Sequence, residues 1–267
     1  HEKLMELFGN VFNDVAGSMA IMMSYLGDQT GAYRAMDKLG PASSEEIAKE
    51  SNVDERYLLE WLSSNAGRGY VTYHEETDQF SLSPEQAAVF ARETEPTCIQ
   101  GLVQGVVGQF VKEDVAVEVF KTGRGRPWGE HHECCFCGTE RFFRPAYASH
   151  LLDEWIPAME GVETKLTKGA KVADIGCGLG TSSMLMAEQY PNSIIHAFDF
   201  HEPSIEEARK RAKEKGLTNL EFFVSDAAAI PKESYDLACI FDAWHDMGDP
   251  VGVAKSIKDK LADDGTF

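Results

Sequence analysis

The residues best placed to do chemistry begin at Val172-Ala-Asp174-Ile-Gly176-Cys177-Gly178-Leu-Gly180, where an acid heads three glycines at alternate positions. The run leaves a short apolar segment, turns through the glycines and enters Met184-Leu-Met186-Ala-Glu-Gln-Tyr, which is apolar at helical spacing. A strand, turn and helix of this kind brings backbone close to a ligand, because glycine accepts positive φ and has no Cβ in the way. A dinucleotide is one candidate for such a turn, yet the spacing is G-x-G-x-G rather than G-x-G-x-x-G. The carboxylate two positions before the first glycine would repel a pyrophosphate, whereas it suits a ligand with a cationic sulfonium and an amino group.

Further acids follow at regular places. The β-prone run Ser193-Ile-Ile-His-Ala-Phe198 ends in Asp199, whose carboxylate can accept two ribose hydroxyls. The run Leu220–Ser225 ends in Asp226-Ala227, a carboxylate and a backbone N–H able to read an adenine edge. The run Tyr235–Phe241 ends in Asp242-Ala-Trp-His245-Asp246-Met-Gly-Asp249-Pro250, with Asp249 and Pro250 capping a helix expected over Val251–Leu261. Between these strands, Pro203 and a Ser204-x-x-Glu207 capping box are expected to start a helix that Gly216 stops. Every polar group therefore falls at the carboxyl end of a successive parallel strand, where open α/β sheets hold their ligands. His245, with an ordinary pKa of ~6.5, can take a proton from a phenol or thiol at neutral pH. Its other reading is a structural histidine at a strand end.

On these motifs residues 172–267 resemble class I S-adenosylmethionine-dependent methyltransferases. The whole chain resembles small-molecule enzymes of the plant phenolic O-methyltransferase type, and in particular a bacterial and invertebrate branch with D-A-x-H-D-x-x-D-P after the fourth strand. The resemblance implies a Rossmann-like, doubly wound α/β domain that binds S-adenosyl-L-methionine. It places Asp174, Gly176, Cys177, Gly178 and Gly180 around the methionine part, Asp199 and Phe200 at the ribose, and Asp226 with Ala227 at the adenine. Asp242 completes the cofactor set. His245 takes the role of general base, with Asp246 beside it. The chain ends at Asp263-Asp-Gly-Thr-Phe267, which resembles the turn into a fifth strand. This ending is read as a truncation, so the sheet is expected to hold at most five strands and the carboxylates that orient the histidine are expected beyond it.

Other functions compete. One is a winged-helix regulator that senses the cofactor without catalysis, and another is methylation of a nitrogen on a small molecule. Base-amino and protein methylators are a further class, but the Pro-Pro-aromatic motif of the former is replaced here by Trp244-His245-Asp246. A nicotinamide enzyme is opposed by Asp174.

The elements that must position this site come earlier in the chain. Apolar positions Leu4, Leu7, Phe8, Val11, Phe12, Val15 and Met19 predict a helix over 3–26, interrupted by Gly27 and Gly31. Ala32–Leu39 is a second helix. A Ser43/Glu46 capping box starts a third, and Asp54 caps a fourth with Tyr57, Leu58, Trp61 and Leu62 on one face. Tyr70–Tyr73 and Gln79–Leu82 then form a hairpin, and Ser83-Pro84 opens another helix. Helices followed by a hairpin make a winged helix, a module of DNA binding or dimerisation. Residues 1–100 hold seven Lys and Arg against seventeen Asp and Glu, so phosphate neutralisation is lacking and nucleic acid is not the expected partner. The apolar first helix is expected either to pair two copies of the chain in a homodimer or to be buried within its own chain.

Residues 96–120 read as helical despite glycines at 101, 105 and 108, and a loop at 121–129 follows. The cluster His131-His132-Glu133-Cys134-Cys135-Phe136-Cys137 is rich in soft ligands, but no second Cys/His pair lies at zinc spacing. It is read as part of a lid with cysteines as small apolar side chains and no metal. Arg144–Leu166 reads as helical with Tyr147, Leu151, Leu152, Trp155, Ile156 and Met159 on one face and a kink at Pro157. The division expected is a winged-helix and dimerisation domain at 1–95, a helical connector and substrate lid at 96–166, and the cofactor domain at 167–267. The net charge of −19 disfavours a phosphate-rich partner. The six cysteines lack a secreted framework's spacing, so a cytoplasmic protein with reduced thiols is expected. No apolar run approaches the ~18 residues of a spanning helix.

Overall fold

A computed structural model describes residues 1–267, which divide into two compact units, His1–Pro145 and Ala146–Phe267. In the first, α1 (Glu2–Thr30), α2 (Ala32–Leu39), α3 (Ser44–Ser51) and α4 (Glu55–Gly67) precede the hairpin β1 (Thr72–His74) and β2 (Gln79–Ser81). The capping signals at Ser43 and Asp54 act as read: Ser43 and Glu46 close a reciprocal box, and Asp54 accepts from the Tyr57 N–H. The helix expected from Ser83-Pro84 is α5 (Pro84–Phe90), and the structure adds a capping box between Ser83 and Gln86.

Two readings in this unit are corrected. Gly27 does not break the first helix, which runs on to Gly31 at φ 77°. A Cβ at Gly27 would stand 2.2 Å from the Trp61 ring and 2.6 Å from the Tyr33 ring, so the glycine is there for side-chain room. Tyr57 is not on the buried face of α4. It is 81% exposed, while Leu58, Trp61 and Leu62 enter a core with Tyr33, Met36 and Ile47. The soft helical run after Pro96 is two helices, α6 (Gln100–Val111) and α7 (Glu113–Thr122), followed by α8 (Glu133–Ala146). The glycines of α6 are contact points with α8: a Cβ on Gly101 would come within 2.3 Å of the Phe142 backbone, and one on Gly138 within 2.6 Å of Gly101 and Gly105. Small residues let the two backbones approach, which outweighs glycine's low helix propensity of about 1 kcal/mol per residue. The buried Asp28 carboxylate is held by Arg141 at 2.9 Å and Arg34 at 3.1 Å, and Glu93 bridges Arg141 and Arg144.

In the second unit the chain enters through a π-helical stretch, Tyr147–Trp155. This differs from the uniform helix with a kink at Pro157. Pro145 has no N–H to donate, the α ladder is interrupted, and the following turns close i to i+5, as in the Ile156 N–H to the Leu151 carbonyl at 3.0 Å. The helical stretch then ends before Pro157, and α9 (Val162–Lys168) starts after Gly161.

The sheet is parallel throughout: β3 (Lys171–Ile175), β4 (Ile194–Asp199), β5 (Leu220–Val224), β6 (Tyr235–Cys239) and β7 (Leu261–Thr266), in the order β5-β4-β3-β6-β7. It is the expected Rossmann-like, doubly wound α/β fold. Helices α10 (Thr181–Gln189), α11 (Glu202–Glu214) and α12 (Pro250–Lys258) connect the strands. Val172 to Ile175 are all at most 1% exposed, as a central strand covered on both faces requires.

Local corrections apply here too. The helix after β4, α11, starts at Glu202 with His201 at the N-cap position and no Ser204 box: Asp199 Oδ1 accepts the His201 N–H and starts the turn earlier, and Ser204, already inside the helix, has its Oγ 2.8 Å from His201 Nδ1. Helix α12 ends at Lys258 rather than Leu261, which begins β7. The terminal acids lie in that strand rather than in a turn before it. The register skips between Tyr235↔Leu261 and Leu237↔Thr266, so Asp263 and Asp264 bulge outward and stay exposed.

Candidate active site

The chain order reverses between β3 and β6, so the crevice at their carboxyl ends is the place where this topology holds a ligand. Asp174 and Cys239 are register partners just before that crevice. Asp174 is 1% exposed. Its Oδ2 accepts hydrogen bonds of 2.6 Å from both the Ser182 and the Ser183 hydroxyls, donated from the first turn of α10. Its Oδ1 is buried and meets no hydrogen-bond donor. Burial pushes the carboxyl up to about 6, opposed by the two serine bonds and aided by the charge of Asp199. A buried acceptor without a donor costs about 1–3 kcal/mol, a cost that a cationic or N–H-bearing partner at this carboxylate would offset.

The glycine turn is fixed by its backbone. The Gly176 and Cys177 N–H groups both donate to the Phe198 carbonyl, at 2.8 and 3.1 Å. Gly176 and Gly180 have φ of 72° and 77°, and side chains there would strike Ala243 and the Phe222 ring, each at 2.6 Å. Gly178, at φ 53°, differs, because a Cβ there would meet nothing within 4 Å. The turn is closed on its flanks and open at its middle. Cys177 is buried in the core, its thiol pushed well up by burial.

Asp199 stands at the end of β4 and ties two loops together, accepting the Gly178 N–H on Oδ2 at 2.9 Å and the His201 N–H on Oδ1 at 2.8 Å. Each oxygen keeps a second lone pair for a ligand hydroxyl. Phe200 is 56% exposed beside it. After β5, Asp226 caps a short 3-10 turn by accepting the Ala228 N–H at 2.8 Å, with Ala227 as the first residue of that turn.

The loop after β6 carries the remaining residues. Asp242 has a left-handed φ of 53°, rare for a residue with a side chain, and Ala243 then packs on Gly176. His245 lies in a 3-10 turn with 63% of its side chain exposed, Nδ1 3.7 Å from Asp242 Oδ1 and Nε2 3.4 Å from Asp246 Oδ1. These are ion-pair separations, too long for good hydrogen bonds. The loop is closed by Trp244 Nε1 donating to the Pro250 carbonyl at 2.9 Å and by Asp249 capping α12 through the Gly252 N–H.

The structure thus gathers Asp174, Gly176, Gly178, Asp199, Asp242 and Asp246 with His245 at neighbouring strand ends. The residues missed by sequence reading are Ser182 and Ser183, whose signal is two hydroxyls in the first helical turn after the glycines. The His131–Cys137 cluster lies in the other unit, where Cys134 and Cys135 are buried and no three His, Cys, Asp or Glu side chains converge as metal ligands would.

Residues 166–267 match the family described as "Methyltransferase domain", and residues 17–92 match the "Rv2258c-like winged HTH domain". The chain therefore joins a winged-helix domain to a methyltransferase domain. Ubiquinone biosynthesis O-methyltransferase of Actinobacillus pleuropneumoniae serotype 5b (strain L20) is 33% identical over 105 residues, 37% of this chain and 44% of that protein. A tRNA (guanine-N(7)-)-methyltransferase of Hydrogenovibrio crunogenus (strain DSM 25203 / XCL-2) is 36% identical over 81 residues, 28% of this chain and 34% of that protein. The chain spans less than half the length of these curated relatives. In fold it is similar to human N-acetylserotonin methyltransferase, solved in complex with SAM, with a TM-score of 0.67 and 14% identity, covering 96% of this chain and 77% of that one.

Proposed function

We propose that this chain binds S-adenosylmethionine and directs its methyl group to a hydroxyl or thiol of a small molecule, with His245 as general base. The observation that carries the reading is Asp174, a buried carboxylate with one oxygen saturated by two serines and the other awaiting a donor at the head of an open glycine turn. Bound there, the donor would supply a methyl group already activated on a cationic sulfur. Asp174 and the turn from Gly176 through Cys177 and Gly178 to Gly180 would hold its amino-acid end. Asp199 and Phe200 would flank the ribose, and Asp226, Ala227 and Asp242 would complete the cofactor set. His245 would take the acceptor's proton, and Asp246 and Asp242, both within 4 Å, would stabilise the imidazolium that results.

Isotope-labelled S-adenosylmethionine offered with a panel of phenols, thiols and amines tests the reading. Label transferred to a phenol or thiol, lost in His245→Ala while cofactor binding persists, is the expected result. A protein that binds the cofactor and methylates nothing would be a sensor, label on amines alone would move the acceptor to nitrogen, and label on tRNA would replace the small-molecule reading.

We further propose a homodimer through α1. Leu4, Leu7, Phe8, Phe12 and Met19 are each more than 60% exposed along one helix, a stripe that a single copy leaves in water. Light scattering after chromatography should give twice the monomer mass, and Phe12→Glu with Met19→Glu should return the monomer. Functional domains at 1–95, 96–166 and 167–267, the middle one serving as substrate lid, are proposed as well. No helix is long and apolar enough to cross a membrane, and a cytoplasmic location is the proposed one.

A further inference from the structure

The π-helical stretch Tyr147–Trp155 is the least ordinary backbone of the second unit. Such stretches are rare and fall disproportionately at functional sites, because the wider turn re-aims side chains at the expense of good hydrogen bonding. Here it delivers Tyr147 and Trp155 to one place. The Tyr147 ring lies 5.4 Å from Phe241 and 6.1 Å edge-on from Trp155, and Trp155 stacks on Phe241 at 6.4 Å. Phe241 fixes the location of this cluster. It lies two residues beyond Cys239, the register partner of Asp174, and directly before Asp242 and then Ala243, whose side chain packs on Gly176 of the glycine turn.

Three aromatic rings beside two carboxylates form a surrounding that favours a cation. The charges of Asp174 and Asp242, after burial, push the Tyr147 hydroxyl upward, so the side chain stays a neutral phenol at physiological pH. A neutral, electron-rich ring next to acids attracts a positive ligand through its quadrupole and repels an anionic one.

We propose that Tyr147, braced by Phe241 and Trp155, is a positioning residue that sets an aromatic face against the cationic sulfur of the methyl donor. The proposal rests on the methyltransferase reading above and adds a consequence that reading lacks. The protein should distinguish the charged sulfonium of S-adenosylmethionine from the neutral thioether of S-adenosylhomocysteine, two ligands that otherwise make the same contacts.

Calorimetric titration of both ligands into the whole protein, without any acceptor, tests this. Tyr147→Leu should lower the affinity ratio of S-adenosylmethionine to S-adenosylhomocysteine by roughly 3- to 30-fold, the span of a cation–π contact. Tyr147→Phe, which keeps the ring and loses only the hydroxyl, should leave the ratio unchanged. Equal weakening of both ligands by Tyr147→Leu, or no change in either, overturns the proposal. If Tyr147→Leu does not fold, Trp155→Leu at the exposed edge of the cluster carries the test, with the same direction expected and an unchanged ratio overturning it. Failure of the unsubstituted protein to bind either ligand would instead overturn the parent reading.

Discussion

The glycine turn after β3 and the histidine loop after β6 lie side by side and are built in opposite ways. The turn is half-buried and open only at its middle, each flanking glycine is enforced by a neighbouring side chain, and its acid is clamped by two hydroxyls. The loop is exposed, carries its histidine at ion-pair distance from two exposed acids, and is tied mainly at its far end by Trp244 and Asp249. A ligand common to every turnover justifies a rigid, preformed receptor. A proton acceptor that must meet a separate substrate is better placed on a loop near solvent. Under the proposed function the contrast would separate donor binding from chemistry, and substitutions on the two sides should separate them as well.

The largest effect is expected on the loop. His245→Ala should lower kcat for an oxygen acceptor by ~10²- to 10⁴-fold, while the cofactor's Kd measured by titration stays within about twofold. A thiol acceptor, which ionises more readily, should lose less. Equal losses for both acceptors would remove the proton-transfer role.

The turn answers with stability. Gly180→Val demands a left-handed φ from a β-branched residue and drives its Cβ into Phe222. Denaturant unfolding should show a loss of about 3–5 kcal/mol. A smaller and oppositely signed effect follows from Asp174. Its folded pKa of about 6 lies above the unfolded value of ~3.9, so the ligand-free protein is penalised as pH rises from ~4 through 6, with the full penalty above that. Asp174→Asn should therefore stabilise the ligand-free protein by ~1–3 kcal/mol at pH 7.5, have little effect at pH 4, and weaken cofactor binding at least tenfold. A mutant less stable at pH 7.5 would show that the carboxylate is structural. The smallest effect returns to the loop: Trp244→Phe removes one exposed hydrogen bond and should cost about 1 kcal/mol or less.

Much of this contrast could be read from the sequence, because its signals are local. The capping box at Ser43, the helix start at Ser83-Pro84, glycine spacing and strand-end acids each act within a few residues of themselves. The readings that failed depend on partners distant in the chain. Gly27 looked like a breaker because only the fold brings Trp61 and Tyr33 against it, and the glycines of α6 weakened a helix that α8 makes sound. Ser204 has the sequence of a cap, but Asp199 accepts the His201 N–H and the helix starts before Ser204. The widening after Pro145 has no periodic signature, so the sequence places Tyr147 on a packing face alone. At the site, the acids were found by type and position, whereas the serine clamp on Asp174 required knowing how α10 sits against β3.

The burial of the thiols has a practical consequence. Of the six cysteines only Cys137 is exposed, and burial pushes the Cys98, Cys135, Cys177 and Cys239 thiols upward, away from the reactive thiolate. Brief alkylation of the native protein should therefore label Cys137 first, as peptide mass spectrometry would show. Cys177, inside the glycine turn, becomes a built-in clock. Its labelling rate measures how often the turn opens, and a ligand that binds there should slow it.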